Sequence, residues 1–289
     1  MAFTFIAAAG NNDSAAGTTL DATSSLNVAA GDLLVAWCGH ESTNGTFAVA
    51  KTTGGNDFTF DAIDELNHSN SDLNASFGYL LSASADASFT ARLTTQSKPF
   101  RILIVAQFRP DAGEIVTKEA RNGQESGSSA VSSGNISPGG DDLAVVGGYK
   151  PYGGIALTSE QINGVAATEP TGSPQDLSAI WYRILTVGFT DGAATATVVG
   201  GVEHLAAVIA FKAAAGSTTN QEGARFGNDD GSESAHTWAA AQDANITAPA
   251  GDVRTVNLIV DATGTLGAKT FKLQYRKVGD ADWRDMPLG

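Results

Sequence analysis

The chain has 289 residues, 33 of them glycine, and sets 17 lysines and arginines against 31 aspartates and glutamates, a formal net charge of -14. That length exceeds what one sandwich needs and suits two or three domains of roughly 70 to 110 residues. The acidic balance, 10 basic against 21 acidic residues up to position 217 and 7 against 10 thereafter, repels phosphate backbones and anionic membranes, so it argues against nucleic acid or membrane as a partner.

A dispersed negative surface also keeps identical copies from clumping. Cys38 is the only cysteine, so an intrachain disulfide is impossible and the fold must rest on its core. Within LLVAWC its thiol reads as a small buried apolar group. The opening MAFTFIAAAG lacks the cationic lead-in of a signal peptide, and no run approaches the ~20 apolar residues of a membrane-spanning helix. Folding in a reducing cytoplasm is the expectation.

Short apolar segments separated by Gly, Ser, Asn, Asp and Thr clusters predict an all-β protein. In chain order, Phe3 and Phe5 open the first unit, a polar loop covers 10–18, and Ser25 to Val28 reads as a strand. GDLLVAWCGH, Gly31 to His40, is a turn followed by a strand buried on both faces or central in a sandwich. Phe47 to Ala50 and Phe58 to Ile63 add short strands, and the polar run from Asn67 to Asn74 reads as a surface loop. SFGYLLSAS and ASFTARL suggest a hairpin turning at Ala85 and Asp86. Phe100 to Pro110, FRILIVAQFRP, is the most apolar stretch and closes the unit.

The order then repeats. GDLLVAWCGH at 31 matches GDDLAVVGGYK at 140, Tyr79 matches Tyr182, FTARL matches ATVVG, and the strand ending in Phe108 matches HLAAVIAFKAA, with Phe211. Tyr79 to Tyr182 and Phe108 to Phe211 share one offset, 103, which is the mark of a duplication. NGQESGSSAVSSG, Asn122 to Gly134, reads as a flexible polar crossing, and AAAGSTTNQEG, Ala213 to Gly223, as a second break. The expected division is 1–112, 113–216 and 217–289. In the last unit KTFKLQYRK alternates Phe271, Leu273 and Tyr275 against Lys272, Gln274 and Arg276, a half-buried strand. Val253 to Val260 is its expected partner, and Val278 to Trp283 a turn into a final short strand.

Candidate chemistry is sparse. His40 and Glu41 are followed by STNG, so the second histidine of a zinc-protease helix is missing. His40, His68, His204 and His236 lie in unrelated segments and read as structural or surface residues, because zinc sites normally need at least three protein ligands. Asp57, Asp61, Asp64 and Glu65 cluster, but alternation puts Asp61 and Asp64 on opposite sides of a strand, which defeats a glycosidase pair. GNDDGSES crowds oxygen ligands at Asp229, Asp230 and Glu233, a weak calcium candidate with the wrong spacing for an EF-hand. YKPYGG places Tyr149 and Tyr152 just after the second central strand, where loop aromatics suit stacking on a sugar ring or anchoring in a partner; Trp37 and Trp181 read as core. Neither a catalytic residue nor a cofactor is expected.

The duplicated GDLLVAW and GDDLAVV strands with their closing apolar strands resemble the tandem β-sandwich modules of structural proteins in tailed bacteriophages. The last unit, with RFGNDDGSESAHTW and FKLQYRKVGDADW, resembles the C-terminal module often attached to such proteins, and its LQYR-to-Trp spacing is similar to a fibronectin type III strand pair. The resemblance implies two jelly-roll-like β-sandwich repeats followed by a small Ig-like sandwich. It also implies a non-enzymatic virion surface protein, made in the host cytoplasm, that decorates a capsid or belongs to a tail or fibre. Its implied partners are the major capsid or tail protein, further copies of itself (a trimer by analogy) and, for a fibre, a host glycan.

Overall fold

A computed structural model describes residues 3–42, 46–61, 66–69, 72–153, 157–171, 178–198, 200–215, 218–228, 237–238, 241–242, 244, 254–263, 274–275 and 284–285. The chain divides into two compact units, Met1–Ala214 and Ala215–Gly289. Every regular element described is a strand.

In the first unit the leading half supplies β1 (Phe3–Asp13), β2 (Gly17–Asp21), β3 (Leu26–Val28), β4 (Leu33–Glu41), β5 (Ala48–Lys51), β6 (Leu66–Asn67), β7 (Leu73–Leu80), β8 (Asp86–Phe89), β9 (Ala91–Lys98) and β10 (Arg101–Pro110). The trailing half supplies β11 (Glu114–Ser126), β12 (Ala130–Ile136), β13 (Leu143–Pro151), β14 (Leu157–Ile162), β15 (Val165–Ala166), β16 (Ala179–Leu185), β17 (Gly192–Val198) and β18 (His204–Ala215). The two halves repeat one topology: β1-β10-β4-β7-β6 against β11-β18-β13-β16, and β2-β9-β5 against β12-β17-β14-β15. The registered pairs are antiparallel, as between β10 and β4 or β13 and β18.

Three apolar cores separate these sheets into four layers. Period-2 alternation deals each central strand into two of them. Leu33, Val35 and Trp37 enter a core shared by the two halves, while Leu34, Ala36 and Cys38 enter a core private to the first. Ile102, Ile104, Ala106 and Phe108 of β10 join the shared core, Leu103 and Val105 the private one. In the trailing half Ala144 and Val146 face the shared core, whereas Leu143, Val145 and Tyr149 face that half's own. This is why LLVAWC and RILIVAQF read as unbroken apolar runs: neither face of these strands meets water. Each large aliphatic side chain so buried contributes roughly 1.5–3 kcal/mol.

The turns entering the central strands are alike. Gly31 and Gly140 hold φ at 88° and 86°, a region that glycine enters without strain. Beside the first, Asp32 accepts bonds from Ala29 N (2.7 Å), Gln107 Nε2 (2.6 Å) and the Nε (2.7 Å) and Nη2 (2.9 Å) of Arg109. Burial alone raises its carboxyl, but the Arg109, Ala29 and Gln107 bonds outweigh it and hold Asp32 below the usual carboxylate range. The charged end of FRILIVAQFRP is thus clamped to the start of β4.

Two expectations are corrected here. The hairpin at Ala85 and Asp86 does not form: β7 pairs with β4 and β6, while β9 pairs with β2 and β5 in the facing sheet, so this connection crosses between layers. Asn122 to Gly134 is no flexible crossing but parts of β11 and β12 around a turn; its polar residues occupy a strand with water on one face. In the second unit β20 (Arg254–Thr263) pairs with β19 (Thr218–Asn228). Of the LQYR strand only β21 (Gln274–Tyr275) is described, and it pairs with the final short strand β22 (Arg284–Asp285). Phe271, Leu273, Lys272 and Arg276 lie outside the described residues.

At Gly148 the two large sheets approach each other closely. A Cβ added there would stand 2.7 Å from Trp37 Cδ2 and 2.9 Å from Phe77 Cζ, inside van der Waals contact. Gly148→Ala should therefore destabilise the first unit by about 1–3 kcal/mol through overpacking. Gly31→Ala, strained in backbone but in open space, should leave the shared core intact. Urea midpoints and the near-ultraviolet signal of the buried tryptophans separate the two effects.

Candidate functional site

Buried polar side chains of both halves meet where β4 and β13 end. β4 runs out in His40 and Glu41, and β13 in Tyr149, Lys150 and Pro151. Trp37 Nε1 donates to Tyr149 O (3.1 Å) and Ser178 Oγ (2.9 Å), and Ser178 Oγ donates to the same carbonyl. Glu41 Oε1 accepts from Gly153 N (3.2 Å) and stands 3.8 Å from Lys150 Nζ, which donates to Pro151 O (3.0 Å). Every one of these contacts except the bonds of Ser178 and Lys150 to the Tyr149 and Pro151 carbonyls ties the leading half to the trailing one.

Burial sets the electrostatics. Lys150 is fully buried, and desolvation draws its ammonium down to about 8 against the opposing pull of Glu41. His40 is buried with both ring nitrogens unbonded, its ring 5.1 Å from that of Phe47. Desolvation, then the charges of Lys98 and Lys150, lower it to about 4. His204 accepts the same fate from burial; its Nδ1 lies 2.9 Å from Val202 O and its ring 5.4 Å from that of Tyr149. Since a carbonyl only accepts, Nδ1 carries the proton.

The two tyrosines expected to act together are placed differently. Tyr149 is 1% exposed, inside β13, its hydroxyl pushed well up by burial; the strand runs three residues further than its Gly-Gly-Tyr sequence indicates. Tyr152 is 53% exposed and its N donates to Glu203 O (2.8 Å). One exposed aromatic, not a pair, is presented. Asp229, Asp230 and Glu233 lie outside the described residues, as do Asp64, Glu65 and His236. Trp37 and Trp181 are core, as expected, and Cys38 is buried with its thiol pushed well up. Among the described residues no group of three His, Cys, Asp or Glu side chains is placed to hold a metal ion, and no helix is long and apolar enough to cross a membrane.

A second feature lies along the seam between the halves, a cavity of about 150 Å³ lined by Leu66, Phe77, Arg121, Asn122, Gly123 and Ile209 among others. Desolvation there lowers the Arg121 guanidinium, and Asn122 Nδ2 donates to Asn135 O (2.9 Å). What sequence reasoning missed is Lys150 and Glu41: both sit at strand ends, 109 positions apart in the chain, and only the stacking of the two sheets brings them together. No known family model, curated protein or solved structure matches the chain.

The neutral His40 makes the fold acid-sensitive. The unfolded chain protonates this residue near 6.5 and the fold only near 4, so the unfolded state binds more protons between those values. Stability is present above that window and falls as pH drops through it, by roughly 3 kcal/mol at its foot. Denaturant titrations at pH 7 and pH 4 should show this loss in the parent and a smaller one in His40→Leu; equal losses would contradict it. Lys150 works at the other end: stability should rise from about pH 8 to 10.5, and Lys150→Met should remove that rise.

Proposed function

We propose that this is a non-enzymatic structural protein of a virus particle, most simply a decoration protein that binds and stiffens a capsid shell. The observation that carries the reading is the four-layer stack. Central strands buried on both faces make a stiff block, and the buried polar groups at the strand ends are spent on tying its halves together rather than on converging around a cleft. The acidic surface, which keeps many identical copies soluble before assembly, supports the same reading. So does the likeness of the repeated strands to tandem phage modules. On this reading the halves are jelly-roll-like sandwiches, the last unit is Ig-like, and docking on the shell uses loops and strand edges.

A second reading, a tail or fibre component that binds a host glycan, is favoured by one observation, the exposed ring of Tyr152 on the rim of the polar strand ends. Aromatic faces are what carbohydrate sites stack upon.

Quantitative mass spectrometry of purified particles separates the two. A decoration protein should be present in multiples of the shell symmetry, and shells lacking it should break at lower temperature; a handful of copies at the tail end would contradict it. Tyr152→Ala should leave adsorption to cells unchanged on the first reading and abolish it on the second.

A further inference from the structure

The two halves meet through the same surface of each. Val35 lies opposite Tyr79 in the first half, and Val146 opposite Tyr182 in the second. This fixes which residues correspond: β7 and β10 map onto β16 and β18 at an offset of 103, and β4 maps onto β13 at 111. Under that mapping the contacts are reciprocal. Tyr79 meets Phe211 edge-on at 5.6 Å between ring centres, and Tyr182 meets Phe108 edge-on at 5.4 Å. Isolated bridges repeat too, Thr59 with Tyr79 and Thr168 with Tyr182. Contact of i with j′ and of j with i′ is the signature of a two-fold, isologous interface.

The axis is also located. Trp37 corresponds to Gly148, and the two touch. A residue in contact with its own counterpart lies at a two-fold axis, where there is room for only one large side chain. Size is exchanged elsewhere in the shared core as well: Ile104 corresponds to Ala207 and Ala106 to Ile209, so the sum stays near constant while the two faces differ. Volume-conserving exchange of this kind is what a packed core tolerates.

We infer that Met1–Ala214 is a fused homodimer: each half presents a self-complementary sheet face whose partner is a second copy of the module, and the covalent joint between the halves is not needed to hold them together. The joint is short and exposed. Asp111, Ala112 and Gly113 separate β10 from β11, with Glu114 N donating to Asp111 O (3.1 Å) and Gly113 at φ 85°. The inference concerns the pairing of the halves and stands apart from the proposed place in a virus particle.

The test uses the full chain with a protease recognition sequence inserted between Ala112 and Gly113, folded first and cut afterwards. The cut fragments should co-elute in native buffer, and the two halves of the first unit should unfold in a single transition. Fragments that separate or precipitate in native buffer would overturn the inference. A second form guards against an insertion that spoils folding: residues 1–112 and 113–289, made together as two chains, should purify as a one-to-one pair, and failure of both forms to give an associated pair would overturn it. In the cut protein Tyr79→Ala and Tyr182→Ala should each weaken association at least tenfold and by similar factors. Loss at one position alone would rule out the two-fold relation.

Discussion

The core shared by the two halves is the constraint from which the rest of the first unit follows. Its reciprocal contacts, Tyr79 on Phe211 and Tyr182 on Phe108, are possible only if two large sheets stack with their aromatic positions in register. Stacking them buries the second face of β4, β10, β13 and β18, which then cannot carry a charge without a partner. The exceptions obey that rule. Lys150 and Glu41 face each other, Asp32 is gripped by Arg109 and Gln107, and Arg101 reaches Asp13 Oδ2 at 2.6 Å. Gly148 is the steric counterpart: with any side chain it would hold the sheets apart at Trp37.

The same constraint explains why the polar strand ends look like a site without the openness of one. A lysine drawn down to about 8 and a histidine drawn down to about 4 are the kind of perturbed pair that often marks catalysis. Here both are closed off from solvent, and desolvation is the first cause of each shift. Their chemistry is that of a joint: the hydrogen bonds from Trp37 to Tyr149 O and from Gly153 to Glu41 bind one half to the other, and the buried charges make that joint sensitive to pH.

Much of this was legible in the sequence. Unbroken apolar runs identified β4, β10, β13 and β18, the strands β4 and β13 following Gly-Asp turns, and the common offset of Tyr79 and Phe108 to their counterparts exposed the duplication. Those four aromatic positions proved to be the ones that touch. Three things were not legible, each for a physical reason. Strand pairing across layers depends on sheet stacking, so the proximity of β7 and β9 in the chain wrongly suggested a hairpin. Polar strands such as β11 lack the alternation that betrays a buried face. Tyr149 follows two glycines and precedes Lys150-Pro151, which reads as a turn, so its continuation of the β13 register, which carries it into the core, had no local signal.

Native-state hydrogen exchange tests the shared core most directly. If the two halves stand on one core, the slowest amides of β4 and β10 and those of β13 and β18 should open with the same free energy, equal to that of global unfolding, and with the same denaturant dependence. Slowest amides of one half opening at a clearly lower free energy than those of the other would contradict the account.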